Sequence, residues 1–194
     1  MASAKSERKD RSRERILASA GSLLREKGIR GASVADVMGG AGMTVGGFYA
    51  HFPAKQSLIA EAVRETLRQS RERLAAHAGG RRGADWVRAV ARSYLSRSHR
   101  DNPGSGCPLP ATLGEIARED IAVREALAGE IETAAGELAS HLKETGMEGP
   151  RGEALAVLAT MVGGLTLARA LQGSDLSDAV LQACRRHIER SLPD

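Results

Sequence analysis

Cys107 is the residue of this chain whose type and setting could support covalent chemistry. It lies in a glycine- and proline-rich segment, residues 101–110, directly before a predicted helix. The positive end of that helix would stabilise a thiolate, and His99 and Arg100 are close enough in sequence to assist. The opposite interpretation is a small apolar cysteine that packs and never reacts. An enzyme using Cys107 with His99 as base would also need an orienting group and an oxyanion site, and neither is evident.

A second set of polar side chains could bind phosphate. Tyr49, His51 and Lys55 lie close together in sequence, and Tyr49 and His51 can donate hydrogen bonds to phosphate oxygens. Residues 1–57 hold ten Lys and Arg against five acids, a net charge of +5, whereas the whole chain is +4. Residues 58–194 therefore carry a net charge of −1. The positive charge lies in the segment that holds these donors, as phosphate binding requires.

The elements that must position these donors are two short helices joined by a glycine turn. The first helix has Val34, Val37 and Met38 on one apolar face. Gly42 follows it and can take the positive φ of a sharp turn. Thr44 is expected to cap the second helix by accepting a backbone N–H bond.

The second helix has distinct inner and outer faces. Phe48 and Phe52 are four residues apart and are expected to point inward, while Val45, Tyr49 and His51 face elsewhere. A short helix with a polar outer face, packed on a scaffold, is what a helix-turn-helix places in the major groove of DNA. An ordinary helical hairpin has the same local pattern, but the charge asymmetry favours the DNA-binding interpretation.

Residues 16–58 resemble the N-terminal domain of the TetR/AcrR family of bacterial transcriptional regulators. The matching positions are Ile16, Leu17, Ala20, Leu23, Leu24, Gly28, Val34, Val37, Ala41, Gly42, Thr44, Gly46, Phe48, Tyr49, His51, Phe52, Lys55 and Leu58. The resemblance implies an all-α fold with an N-terminal three-helix helix-turn-helix domain, residues 1–57, and a C-terminal helical ligand-binding and dimerisation domain, residues 58–194. It also implies a dimeric, sequence-specific DNA-binding regulator, not an enzyme. Such a regulator would be a repressor released from its operator by a small apolar or electrophilic effector.

The resemblance also implies which residues contact DNA. They are Thr44, Val45, Gly46, Gly47, Tyr49, His51 and Lys55. Lys55 falls where a lysine and a helix N-terminus commonly hold a phosphate. Val45 departs from the family, because many members carry a lysine there, and the glycines at 39 and 40 weaken the end of the first motif helix. A helical adaptor that has lost DNA binding is therefore a competing hypothesis.

Helical periodicity continues through the rest of the chain. The predicted helices span residues 53–77, 84–100, 110–118, 120–144, 152–172 and 176–192. Residues 1–14 are polar without an apolar core, so they are expected to form a disordered basic arm and not a signal peptide. Two distant cysteines favour a reducing cytoplasm, and no metal-ligand spacing or cofactor motif is present in the sequence.

The last two predicted helices are candidates for a dimer interface. Residues 152–172 are apolar on nearly every side, but Gly163, Gly164 and Arg169 argue against a membrane span. A helix that is apolar all round must be covered all round. An internal hairpin is one solution, and the resemblance implies the other, a four-helix bundle formed by two copies of the chain.

An effector site in the C-terminal domain is a further implication of the resemblance. The candidate lining residues are Trp86, Val90, Tyr94, Cys107, Leu109, Leu113, Leu158 and Met161. Ordinary core packing is the alternative for each apolar member of this set. The segment around Cys107, GSGCPLP, resembles one found in relatives of electrophile-sensing members, so modification of the thiol is a candidate trigger.

Overall fold

The computed structural model describes residues 4–193. The helices are α1 (Ala4–Lys27), α2 (Val34–Gly40), α3 (Lys55–Ala78), α4 (Gly83–Tyr94), α5 (Arg97–Asp101), α6 (Leu109–Ile116), α7 (Ile121–Lys143), α8 (Pro150–Ala170) and α9 (Asp175–Ser191), with 3-10 helices at Val45–Ala50 and Pro103–Ser105. No strand occurs within residues 4–193, so the predicted all-α class is confirmed. The predicted helices after residue 52, apart from 84–100, end within one or two residues of the observed ones.

The prediction of a disordered N-terminal arm is wrong for residues 4–14, because α1 already begins at Ala4. This stretch is rich in Glu, Arg and Lys, which have high helix propensity. Glu7 and Arg11 also form an ion pair of 4.0 Å at the i, i+4 spacing that supports an exposed helix. Residues 1–3 of the predicted arm lie outside the described residues.

The single helix predicted for residues 84–100 is also wrong. The helix stops at Tyr94, and α5 begins at Arg97 after a break at Leu95 and Ser96. Ser96 is extended, and its side chain accepts a hydrogen bond of 3.1 Å from the backbone N–H of His99. A serine in this position favours the start of a new helix over continuation of the old one.

The chain forms two compact units that do not follow the order of the sequence. One contains the residues up to Leu67 together with Cys107–Ala128, and the other contains Arg68–Gly106 and Gly129–Asp194. We call them the first and the second unit. The division at residue 57 concerns function and stays a prediction.

Each unit has its own apolar core. In the first unit the fully buried side chains include Ile16, Leu24, Met38, Phe48, Phe52, Leu58, Ile59 and Ile116. In the second unit they include Leu95, Leu142, Leu165 and Leu181. These side chains come from several helices in each unit, so packing between helices, more than the propensity of any one helix, holds the elements in place.

Within the second unit, α8 and α9 approach closely at Gly164. A Cβ atom at this position would lie 2.7 Å from Sγ of Cys184 and 3.1 Å from Cδ2 of Leu95, so a side chain does not fit. Burial raises the pKa of the Cys184 thiol, which keeps it protonated and unreactive at neutral pH. This agrees with the packing role expected for a cysteine in the middle of an apolar stripe.

Candidate nucleic-acid interface

The first motif helix, α2, is fixed at its N-terminus and against α1. Ser33 caps it by accepting a hydrogen bond of 3.1 Å from the backbone N–H of Asp36. Ser19 of α1 donates from its hydroxyl to the carbonyl of Val37 over 2.8 Å. A Cβ atom at Gly40 would collide with the Ser19 hydroxyl, so this glycine permits the close contact between the two helices.

The turn after α2 has the predicted geometry, but the second motif helix differs from the prediction. Gly42 has a φ of 66°, the left-handed conformation that glycine adopts without strain. Thr44 occupies the cap position, yet its side chain makes no capping hydrogen bond, so that part of the prediction is wrong. The following segment, Val45–Ala50, is a 3-10 helix in which Gly47 donates to the carbonyl of Thr44 over 3.1 Å. The glycine pair at 46 and 47 has low α-helix propensity, which favours this short and tighter form.

The inner face of this 3-10 helix is anchored by two phenylalanines, as predicted. Phe48 and Phe52 are each 1% exposed, and their rings stack with centroids 5.9 Å apart. The guanidinium of Arg13 in α1 lies over the Phe52 ring, 4.9 Å from its centroid, and also pairs with Glu61 of α3. Side chains from α1 and α3 therefore hold the 3-10 helix in one orientation.

The outer face presents the predicted DNA contacts to solvent. Thr44 and Gly46 are exposed, Val45 is 50% exposed and Tyr49 is 76% exposed. The edge of the Tyr49 ring packs against Phe48 at a centroid distance of 5.2 Å. An exposed tyrosine beside an exposed valine is a surface suited to base and phosphate contacts in a groove.

Gly46 and Gly47 are not required by the fold itself. A Cβ atom at Gly46 would meet no heavy atom within 4 Å, and one at Gly47 would lie 3.7 Å from Cε of Met38. Neither residue has a positive φ. Alanine would fit at both positions in the free protein. With glycine there, the backbone has no side chain that would keep DNA at a distance.

His51 and Lys55 lie at the other end of the motif. His51 is half-buried, and its Nδ1 atom is buried without a hydrogen-bond partner among the described residues, which leaves Nε2 to reach a phosphate. Lys55 begins α3, whose first intrahelical bond runs from Leu58 to the carbonyl of Ala54. The backbone N–H groups of the first turn of α3 lie at the same end of the helix as Lys55 and add to its attraction for an anion.

Comparison with known proteins identifies the family of this motif. Residues 16–62 match the family described as bacterial regulatory proteins, tetR family. Residues 16–62 are therefore a DNA-binding domain of the tetR family. The HTH-type transcriptional regulator Rv0196 of Mycobacterium tuberculosis is 29% identical over 193 residues, covering 94% of this chain and 96% of the relative.

Solved structures share the fold over nearly the whole chain. A TetR transcriptional regulator from Chloroflexus aurantiacus is 26% identical, with a TM-score of 0.76 and 95% of each chain covered. The reduced form of NemR from Escherichia coli has a TM-score of 0.81 at 19% identity, covering 94% of this chain and 97% of that one. A chain with this domain and this fold is thus a DNA-binding transcriptional regulator and not an enzyme. Its individual DNA contacts stay predictions, and the matches argue against the adaptor hypothesis that the departures at Val45 and Gly39 raised.

The predicted effector residues are distributed over both units. In the second unit Trp86, Val90, Tyr94 and Met161 are buried and Leu158 is half-buried. The Trp86 ring also stacks on His141 with centroids 4.1 Å apart. In the first unit Leu109 is buried and Leu113 is 37% exposed. The buried members of this set are part of the packed core, and contact of any of them with an effector stays a prediction.

Cys107 forms no disulfide and is buried, 3% exposed, two residues before α6. A thiol without access to solvent does not meet an oxidant or electrophile unless the segment opens. Burial therefore favours the packed interpretation in this conformation, and reactivity stays a prediction.

Helix α8 is unusually apolar for a helix with a solvent-exposed face. By length and composition alone it could cross a membrane, yet only 33% of its most apolar stretch is buried within the described chain. The bundle of a soluble protein meets the same criterion when a partner covers the helix.

Proposed function

We propose that this TetR-family regulator is a dimeric repressor that a small apolar or electrophilic effector releases from a palindromic operator. The observation that carries the dimer is one face of α8. Ala156, Ala159, Gly163, Leu167 and Ala170 recur at spacings of three and four residues, and all are exposed. Small residues at this spacing let two helices pack closely, and Leu167 supplies apolar area.

Helix α9 extends the same kind of surface. Leu176 is 61% exposed, and Ala179 and Ala183 follow it at helical spacing, also exposed. A second copy of the chain would cover α8 and α9 in a two-fold four-helix bundle, residues 152–172 and 176–192 being the proposed interface. Two helix-turn-helix domains one turn of DNA apart then match a palindromic site.

Release from DNA is proposed to follow a population shift. An effector in the C-terminal domain, residues 58–194, favours a state in which the two DNA-binding domains, residues 1–57, no longer match the groove spacing. Helix α3 is continuous from Lys55 to Ala78, which supports a role as the connecting lever. A regulator that binds the chromosome of a bacterium acts in the cytoplasm.

Selection of binding sites from random double-stranded DNA tests the DNA-binding and dimer proposals together. We expect enrichment of a site with two-fold symmetry whose half-sites lie about ten base pairs apart. Enrichment of a single half-site would overturn the dimer, and recovery of no preferred sequence would favour the adaptor.

Operator release tests the effector proposal. With the selected DNA bound, N-ethylmaleimide and hydrogen peroxide are expected to release the native protein but not the Cys107→Ser variant. Release of both proteins alike would refute the thiol trigger. Release by neither reagent, together with release by an apolar compound, would leave the non-covalent half of the proposal standing.

A further inference from the structure

A polar cleft in the second unit is separate from the DNA-binding motif and from the predicted effector residues. It lies between the C-terminal half of α3 and the junction of α4 and α5, and its volume is about 290 Å³. None of the predicted effector residues is part of its lining. Its size is near the lower limit of small-molecule sites, roughly 300–1,000 Å³.

The helix face that borders the cleft has residues spaced as on a face that packs against another helix, but most of these residues are polar. Helix α3 presents Ser70, Arg73, Leu74 and His77, positions i, i+3, i+4 and i+7 of one stripe. In a helical bundle such a stripe is normally apolar, because it packs against the next helix. Here three of the four side chains are polar, so the stripe borders a space suited to water or a polar ligand.

The opposite wall is rich in hydroxyl groups. Ser93, Ser96, Ser98 and Ser105 line it, and Ser96 already accepts a hydrogen bond from the backbone N–H of His99. A hydroxyl that accepts one bond still has its own proton to donate. Of the described residues that line the cleft, none is an aspartate or a glutamate. The lining therefore offers donors without a competing negative charge.

The electrostatic potential in the cleft is positive. Burial is the main reason that the pKa of His99 falls from 6.5 to about 4, and the nearby charges of Arg169 and Arg73 lower it further. The ring is therefore neutral at pH 7, and its Nδ1–H group donates to the Tyr94 carbonyl over 2.7 Å. The cations that disfavour a charge on His99 favour an anion beside it.

A second depression of about 410 Å³ adjoins the cleft through His77 and strengthens this field. Arg81, Arg88 and Arg92 line it, with Asp85 as the acidic residue among its described lining. Arg88 is paired with Asp85 and Arg92 with Glu189, but Arg81 bonds only to a backbone carbonyl in the contacts observed, that of Ala78. Two adjacent depressions thus share an excess of positive charge.

The wall formed by α5 is held rigidly before any ligand arrives. Arg169 of α8 donates to the carbonyl of His99 over 2.8 Å and to that of Arg100 over 3.3 Å. Arg100 in turn pairs with Asp178 of α9 at 2.8 Å. A wall fixed from two other helices is preorganised, which reduces the entropy lost on binding.

We propose that this cleft is a binding site for a small oxyanion, that is, a metabolite carrying a phosphate or carboxylate group. Arg73 supplies the charge, and the hydroxyls of Ser93, Ser96 and Ser98 supply directional hydrogen bonds. The site is distinct from the apolar effector residues, so it does not depend on the proposed repressor function.

Direct binding to the full-length protein without DNA tests the site. Isothermal titration calorimetry and protein NMR would be carried out with inorganic phosphate, malonate, glycerol 3-phosphate and its neutral counterpart glycerol. Arg73→Gln removes the proposed charge, and Arg64→Gln makes the same change at an exposed position of α3 outside the cleft. Phosphate and malonate distinguish the two oxyanion sources.

We expect saturable binding of at least one anion and no binding of glycerol. The affinity for that anion should be at least about tenfold lower in Arg73→Gln than in the native protein, and unchanged in Arg64→Gln. NMR shifts should map to His77 and His99. Absence of saturable anion binding up to about 10 mM would overturn the proposal. Equal affinity in the Arg73→Gln variant, or shifts confined to other regions, would overturn it as well. None of these results depends on operator binding, so the repressor hypothesis is tested separately.

Discussion

Glu115 of α6 accepts a hydrogen bond from the backbone N–H of Ile29, in the turn that joins α1 to α2. The other carboxylate oxygen accepts from the backbone N–H of Arg30 over 3.3 Å. Gly28 makes the contact possible, because its φ is 71° and a Cβ atom there would strike the Glu115 carboxylate. A residue from a distant part of the sequence therefore fixes the entry to the helix-turn-helix within one compact unit.

Glu115→Ala is expected to destabilise the first unit by about 1–3 kcal/mol, because it leaves two backbone donors of a half-buried turn without their acceptor. DNA affinity should fall with it, since the turn positions α2. Urea unfolding and operator titration measure the two effects. Glu125→Ala, at an exposed position of α7, is the matched control. Unchanged stability in Glu115→Ala would show that the turn holds its shape without the carboxylate.

Lys55→Ala is expected to weaken operator binding and to reduce the slope of log K against log salt by about 0.9, the value for one phosphate contact. The loss should be similar for specific and random DNA, since a phosphate contact does not report sequence. Fluorescence anisotropy between low and moderate salt gives the slope. Lys143→Ala, exposed in the last turn of α7, should leave it unchanged. An equal slope for the Lys55 variant and the native protein would remove Lys55 from the interface.

Gly46→Ala is expected to fold normally and to bind operator about tenfold more weakly, because the new methyl group occupies space between the backbone and DNA. The open surroundings of Gly46 predict an unfolding free energy at least as high as that of the native protein. Gly129→Ala in α7 is an equally open control far from the motif. Native affinity in Gly46→Ala would mean that the 3-10 helix does not approach the groove at this point.

Gly163→Gln is expected to disrupt the dimer while favouring the helix. Gly163 and Gly136 are both exposed helical glycines at which an added Cβ atom would meet nothing within 4 Å, so either replacement should raise helix propensity by up to about 1 kcal/mol. Only Gly163 lies on the small-residue face of α8. Sedimentation equilibrium should show weaker self-association for Gly163→Gln and none of this change for Gly136→Gln. Equal dimerisation of the two variants would place the interface elsewhere.

The stability of the second unit is expected to fall as the pH decreases from about 6.5 to 4. The pKa of His99 is about 4 in the folded chain and 6.5 in an unfolded one, so the unfolded state binds the extra proton in this window. The loss is at most about 3 kcal/mol, is absent above pH 6.5 and is complete near pH 4. Urea unfolding followed by Trp86 fluorescence measures it. In His99→Gln this part of the pH dependence should disappear, and a native-like profile in that variant would assign the effect to other groups.

Much of the DNA-binding region was predictable because its signals are local. The φ of Gly42, the inward direction of Phe48 and Phe52, and most helix boundaries follow from residues within a few positions of one another. The predictions failed where two local preferences compete and the hydrophobic pattern does not show which one prevails. Thr44 leaves its cap bond unmade because the glycines beyond it favour a 3-10 turn, and Ser96 interrupts a helix whose apolar periodicity continues past it.

The sequence by itself determined the helical class, the glycine turn, the concentration of positive charge in residues 1–57 and hence the family, since each depends on propensity and spacing along the chain. Only the tertiary structure decided that Glu115 meets Ile29, that Gly164 admits Cys184, and that serines from three helical elements face Arg73 across a cleft. These relationships join residues far apart in sequence. Whether such residues meet depends on how whole helices pack against each other. The spacing of residues along the sequence carries no periodic signal for this packing.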